Sequence, residues 1–118
     1  MRERRPKLLY DAIASIDAAQ AFIAGVDLAG YEASLLLRSA TERQLEILGE
    51  ACARLAKEDE AAFERVPLAR LAVGLRNRII HGYDAVDDET VYRTVLDDLP
   101  ALKALLQAWL AELPPARD

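Results

Sequence analysis

The chain predicts an all-α fold, an antiparallel up-and-down bundle of four to five helices, and three observations carry that prediction. Alanine, leucine, glutamate and arginine dominate, while aromatic residues make up only 6% of the chain, a mixture that favours helix over strand. Apolar residues recur at three- and four-residue intervals over long stretches. Glycine, proline and aspartate fall at the places where those stretches begin and end. No strand-type alternation, internal repeat or low-complexity tract interrupts the pattern. At 118 residues the sequence reads as one domain, spanning 1–118, with a small but real core.

Taken in order, Leu9, Ile13, Ile16, Ala19 and Ile23 define a first amphipathic helix from Lys7 to about Ala24, stopped at Gly25. A short connection through Asp27 and Gly30 leads to a longer second helix. Its apolar set is Leu35, Leu36, Ala40, Leu45, Ile47, Leu48, Ala51, Cys52 and Leu55, and it ends in Lys57-Glu58-Asp59-Glu60. Pro67 suits the first turn of a third helix, where its missing N–H is no loss. That helix runs to about His81, with Gly82 as its stop. Asp87 is placed to cap a fourth helix, with Asp88 and Glu89 in the first turn. Pro100 kinks or restarts that helix, and the last segment, with Leu102, Leu105, Leu106, Trp109 and Leu110, stops before Pro114-Pro115.

Composition also excludes classes of function. A net charge of −5 argues against a general nucleic-acid coat protein, although one local basic patch is compatible with an enzyme that meets RNA. The single cysteine, Cys52, excludes an internal disulfide and reads as a buried structural thiol. No apolar run approaches the ~20 residues needed to span a bilayer. The basic start, Met1-Arg2-Glu3-Arg4-Arg5-Pro6, lacks a following hydrophobic segment, so the expectation is a cytoplasmic protein with no membrane association. Arg2, Arg4, Arg5 and Lys7 could hold an RNA backbone, but a frayed, solvated end is the simpler expectation.

Chemistry concentrates in Leu75-Arg76-Asn77-Arg78-Ile79-Ile80-His81-Gly82-Tyr83, which holds the only histidine in the chain. On a helical wheel with Leu75 at zero, Leu68, Leu71, Ala72, Leu75 and Ile79 form the expected core face. Val73 and Ile80 fall at about 140–160°, a second apolar strip that the core face cannot use. Arg76 borders it on one side, and Asn77 and His81, four residues apart, border it on the other. A second copy of the chain or a further helix could cover the strip, which makes Val73 and Ile80 dimer-interface candidates. Arg70 and Arg78 are candidate RNA contacts. Glu50 could pair with Arg76, though a solvated helix charge is the expectation.

Histidine and arginine together suit phosphodiester chemistry. A neutral imidazole accepts a proton from an attacking ribose 2′-hydroxyl, and an imidazolium protonates the leaving oxygen. A guanidinium forks onto phosphate oxygens and stabilises the charge that builds there. Acid and base at once require two histidines, which a symmetric dimer of this one-histidine chain supplies. Spacing alone also fits a surface arginine followed by a histidine capping a helix end.

At these residues the chain resembles the HEPN superfamily, whose mark is an arginine, a polar residue, three further residues and a histidine, here Arg76-Asn77-Arg78-Ile79-Ile80-His81. The extension His81-Gly82-Tyr83 is similar to the HepT-like branch, the toxin half of HEPN/minimal-nucleotidyltransferase toxin–antitoxin pairs. Glu42-Arg43-Gln44-Leu45-Glu46-Ile47-Leu48-Gly49-Glu50-Ala51 resembles that family's second helix, and Val86-Asp87 and Asp98-Leu99-Pro100 its later landmarks. Val66-Pro67-Leu68 departs from the Pro-Trp pair found in many relatives. The resemblance covers residues 7 to 110. It implies a metal-independent ribonuclease without cofactor, acting on cellular RNA such as tRNA, with Arg76 and His81 as catalytic pair and Asn77 orienting the site. It further implies a homodimer with both motifs in one cleft, in a pair of type II or VII character. A cognate nucleotidyltransferase antitoxin would neutralise it by AMPylation of Tyr83; a plain packing role is the alternative for that tyrosine. The alternative for the whole chain is a non-catalytic HEPN module that partners a separate nucleotidyltransferase.

Overall fold

Four long helical rods lie side by side and alternate in direction in the computed structural model, which describes residues 3–81 and 86–115. The first, α1 (Arg5–Ile23), buries Leu9, Ala12, Ile16, Ala19 and Ile23 on one stripe. It stops at Gly25, whose φ of 75° is the left-handed conformation that glycine adopts without steric cost. The short α2 (Leu28–Ala33) follows, capped by Asp27 Oδ1, which accepts from the Gly30 N–H at 2.8 Å. Ser34 then caps α3 (Leu35–Glu58), its hydroxyl accepting from the Leu37 N–H at 3.1 Å. Asp59 caps the five-residue α4 (Glu60–Glu64), and α5 (Pro67–His81) begins at the proline as the spacing predicts.

Asp87 caps α6 (Asp88–Arg93), accepting from both the N–H and the hydroxyl of Thr90. A single π-turn (Thr94–Asp98) links α6 directly to α7 (Leu99–Glu112). There the Leu99 N–H reaches back five residues to the Thr94 carbonyl. Pro100 thus sits in the first turn of α7 and restarts the rod in a new register, where its missing N–H is tolerated.

Cross-links between rods fix their directions. Arg5 at the start of α1 reaches Asp59 beyond the end of α3, at 2.9 Å, so α1 and α3 are antiparallel. Lys103 pairs with Asp17 at 2.6 Å, and the Tyr92 hydroxyl donates to the Val26 carbonyl at 2.7 Å. Those two contacts set α6–α7 antiparallel to α1. The all-α bundle predicted from the sequence is the fold observed, with one buried cluster running through all four rods.

Several local expectations change. The connections around residues 27–34 and 59–64 contain the short helices α2 and α4, which are too brief to show a period. Leu35 and Leu36, assigned to the apolar face of the second long helix, are 69% and 78% exposed; they open α3, and in that first turn Leu37 is the leucine that packs against the core. Arg5 is not part of a frayed end: it pairs with both Glu3 and Asp59. Gly82 and Tyr83, expected as helix stop and modification site, lie outside the described residues, as does Asp84. No helix among the described residues is long and apolar enough to cross a membrane.

Candidate active site

The third long rod, α5, carries every candidate residue that the structure describes, and its orientation decides what each one can do. Ala69, Ala72 and Leu75 are buried, while Leu68, Val73 and Ile79 pack against the core from its edges. Leu71, expected on the core face, is 46% exposed. The buried face is therefore centred roughly 60° further round than the leucines alone suggest, and Arg76 falls inside it. Only 18% of the Arg76 side chain is exposed.

The cause lies across the interface, on α3. Gly49 is buried, and a Cβ placed on it would stand 2.2 Å from Arg76 Cβ, 2.7 Å from its Cγ and 2.9 Å from the Ala72 carbonyl oxygen. The two helices approach this closely only because residue 49 has no side chain, and the stem of Arg76 takes the space. Glu50, one residue on, places Oε2 2.5 Å from Arg76 Nη1. The expectation of a solvated Glu50 is thus corrected: it is the counter-ion of Arg76. Arg54, a helical turn further along α3, holds the other carboxylate oxygen through Nε at 2.9 Å. The Arg54 hydrogen bond, followed by the Arg76 charge, keeps the Glu50 carboxyl below its ordinary range against the opposing effect of burial.

The opposite face of α5 is open. Arg70, Gly74, Asn77, Arg78 and His81 are all exposed and fall within an arc of about 100°. Arg70 pairs with Glu64 at 2.6 Å and lies over the Phe63 ring, 5.9 Å from its centroid. Arg78 has no ion pair among the described residues and lines a shallow groove with Arg70, Leu71 and Gly74. Among the described residues, nothing beyond the helix's own adjoining backbone lies within 4 Å of where a Gly74 Cβ would stand, so that glycine leaves the middle of the face bare.

Arg76 and His81 consequently point apart. Five residues along a helix amount to about 140° of rotation; Arg76 turns inward to α3, and His81 outward from the last turn. The structure brings Asn77, Arg78 and His81 onto one exposed face and does not bring Arg76 into it. The Val73/Ile80 strip is split likewise: Val73 leans on the core, and Ile80 is 47% exposed. The sequence reading missed the anchoring role of Gly49. The adjacent Gly49-Glu50 pair was its only signal, legible once α3 and α5 are known to touch there.

Cys52 is fully buried, and burial pushes its thiol up to about 12, so it has no nucleophilic part. Among the described residues, no three His, Cys, Asp or Glu side chains gather as a metal site.

The family model described as "Ribonuclease HepT-like" matches residues 12–109. A Methanocaldococcus jannaschii protein named "Putative RNase MJ1380" is 33% identical over 95 residues, covering 80% of this chain and 86% of the relative. "Putative RNase MJ0125" of the same organism is 29% identical over 105 residues, covering 89% and 90%. "Probable ribonuclease HepT" of Thermococcus cleftensis is 26% identical over 103 residues, covering 87% and 93%. No solved structure gives a significant match. The span of the family match, together with relatives aligned along nearly their whole length, shows that this chain belongs to the HepT-like ribonuclease family.

Proposed function

We propose that this chain is a metal-independent ribonuclease acting on cellular RNA as the toxin of a two-component pair, with Arg76 and His81 as its catalytic residues. The observation that carries the reading is the contrast within α5: a guanidinium anchored at the α3 contact and an exposed imidazole one and a half turns later. His81 takes the proton of a ribose 2′-hydroxyl as that oxygen attacks the adjacent phosphorus. The P–O5′ bond breaks, the leaving oxygen takes a proton from an imidazolium, and a 2′,3′-cyclic phosphate remains. Arg76 stabilises the charge on the equatorial oxygens. Asn77, beside His81 on the exposed face, orients the phosphate or the ring, while Arg70 and Arg78 follow the RNA backbone.

One chain offers one histidine, and its arginine faces away from it. A homodimer joined near Ile80 and the edge of Val73 supplies the second imidazole and brings the halves into a single cleft. A cognate minimal nucleotidyltransferase silences the toxin by moving AMP from ATP to the phenolic oxygen of Tyr83, with release of pyrophosphate. The adduct puts bulk and negative charge two residues from His81.

Expression in a bacterial host tests the reading. Growth arrest that His81→Ala abolishes, with helix content and melting temperature unchanged, is the expected result. Harmless overexpression of the wild type contradicts it and favours a non-catalytic partner module. Mass spectrometry of the chain co-expressed with its nucleotidyltransferase should show an added adenylate on Tyr83; an adduct elsewhere, or none, contradicts the silencing step.

A further inference from the structure

Arg76 owes its position to Glu50 and Arg54, and the way these three are arranged is not explained by stability. Glu50 is about half exposed, at 47% of its side chain, and ion pairs of that exposure contribute little to stability. The arginine gives up most of its hydration for a single carboxylate contact. Its Nε is buried without a hydrogen-bond partner among the described residues, a cost rather than a gain. What the arrangement does achieve is order: a long side chain rich in rotamers is held in one conformation. Gly49 seats its stem, Glu50 fixes one terminal nitrogen, and Arg54 fixes Glu50. The Arg54–Glu50–Arg76 chain keeps a net positive charge, so the carboxylate steadies the guanidinium without cancelling the attraction of the site for phosphate.

Building on the ribonuclease reading, we propose that Glu50, itself seated by Arg54, is a positioning residue that holds the Arg76 guanidinium ready for the phosphate undergoing cleavage. Its effect is exerted through Arg76, so it acts on the chemical step more than on RNA affinity. A misplacement of about 1 Å at such a group costs up to about 100-fold in rate. Glu50→Ala should lower kcat about 30-fold with KM within about twofold, and Glu50→Gln, which keeps an acceptor oxygen, should restore part of that loss. Arg54→Ala should fall between the wild type and Glu50→Ala.

The test is RNA cleavage under single-turnover and steady-state conditions by the purified full chain, with Arg76→Ala as reference. The ¹⁵N-detected Nε–H signal of Arg76 provides a readout independent of activity. It should be dispersed and slowly exchanging in the wild type, and averaged in Glu50→Ala. Glu50 lies at the surface side of α3, so the Gln variant keeps the measurement interpretable should the Ala variant unfold. A dead Arg76→Ala beside variants of Glu50 that cleave at or above the wild-type rate overturns the positioning role and makes Glu50 a mere counter-ion or a mask. Arg76→Ala cleaving as well as the wild type overturns the ribonuclease reading instead, and the positioning role with it.

Discussion

The inner and outer faces of α5 differ in what holds them in place. Arg76 on the inner face is set by residues 26 and 27 positions earlier, Glu50 and Gly49. His81 on the outer face lies in the final helical turn, exposed, and its ring has no hydrogen bond among the described residues. The difference separates preorganisation from access. A charge stabiliser works best when it pays no reorganisation during reaction, whereas an acid–base group must meet substrate and exchange protons with its surroundings. Substitutions on the two faces should therefore differ in kind.

The largest expected effect is on the outer face. His81→Ala should lower RNA cleavage about 10³-fold while leaving the thermal midpoint within about 2 °C, since an exposed residue at a helix end supports little of the fold. Loss of folding together with activity would erase the contrast. On the inner face, Arg76→Ala should reduce cleavage about 10²–10³-fold and also destabilise the chain by about 1–2 kcal/mol, because the space over Gly49 empties. Arg76→Lys keeps charge without the fork and should recover less than a tenth of the lost rate.

Gly49→Ala sharpens the comparison from the other side of the contact. The added methyl would collide with the Arg76 stem and the Ala72 carbonyl, so α3 and α5 must separate. Chemical denaturation should show a loss of about 3 kcal/mol, and a stability equal to the wild type would mean that the close approach is not what seats Arg76. The smallest effect belongs to a residue on neither face. Leu36→Ser should change stability by less than about 0.5 kcal/mol, since Leu36 is 78% exposed despite its place in the apolar pattern.

Much of this was legible in the sequence, and the misses share a cause. Pro67, Asp87 and Gly25 announced their helix ends because each acts through its own backbone or its near neighbours, and the structure has them at those ends. The core face of α5 was misplaced because a wheel weights leucine by size, whereas helices that approach closely bury small residues: Ala69 is fully buried and Leu71 is not. Leu35 and Leu36 read as core for the same reason, although burial depends on what lies opposite. Neither α2 nor α4 is long enough to display a helical period; their caps, Asp27 and Asp59, were the available signs. The motif itself was read directly, as six consecutive positions on one helix. That Arg76 points inward required knowing that Gly49 lies against it.

The central claim is that one chain carries half of a site, its arginine and histidine facing apart until a second copy completes the cleft. The direct measurement is RNA cleavage per chain across a dilution series, with the dimer fraction followed in parallel by analytical ultracentrifugation. The account predicts that specific activity falls in step with the dimer fraction, and that Ile80→Asp shifts both curves to higher concentration together. A strictly monomeric protein that retains full activity per chain would contradict it.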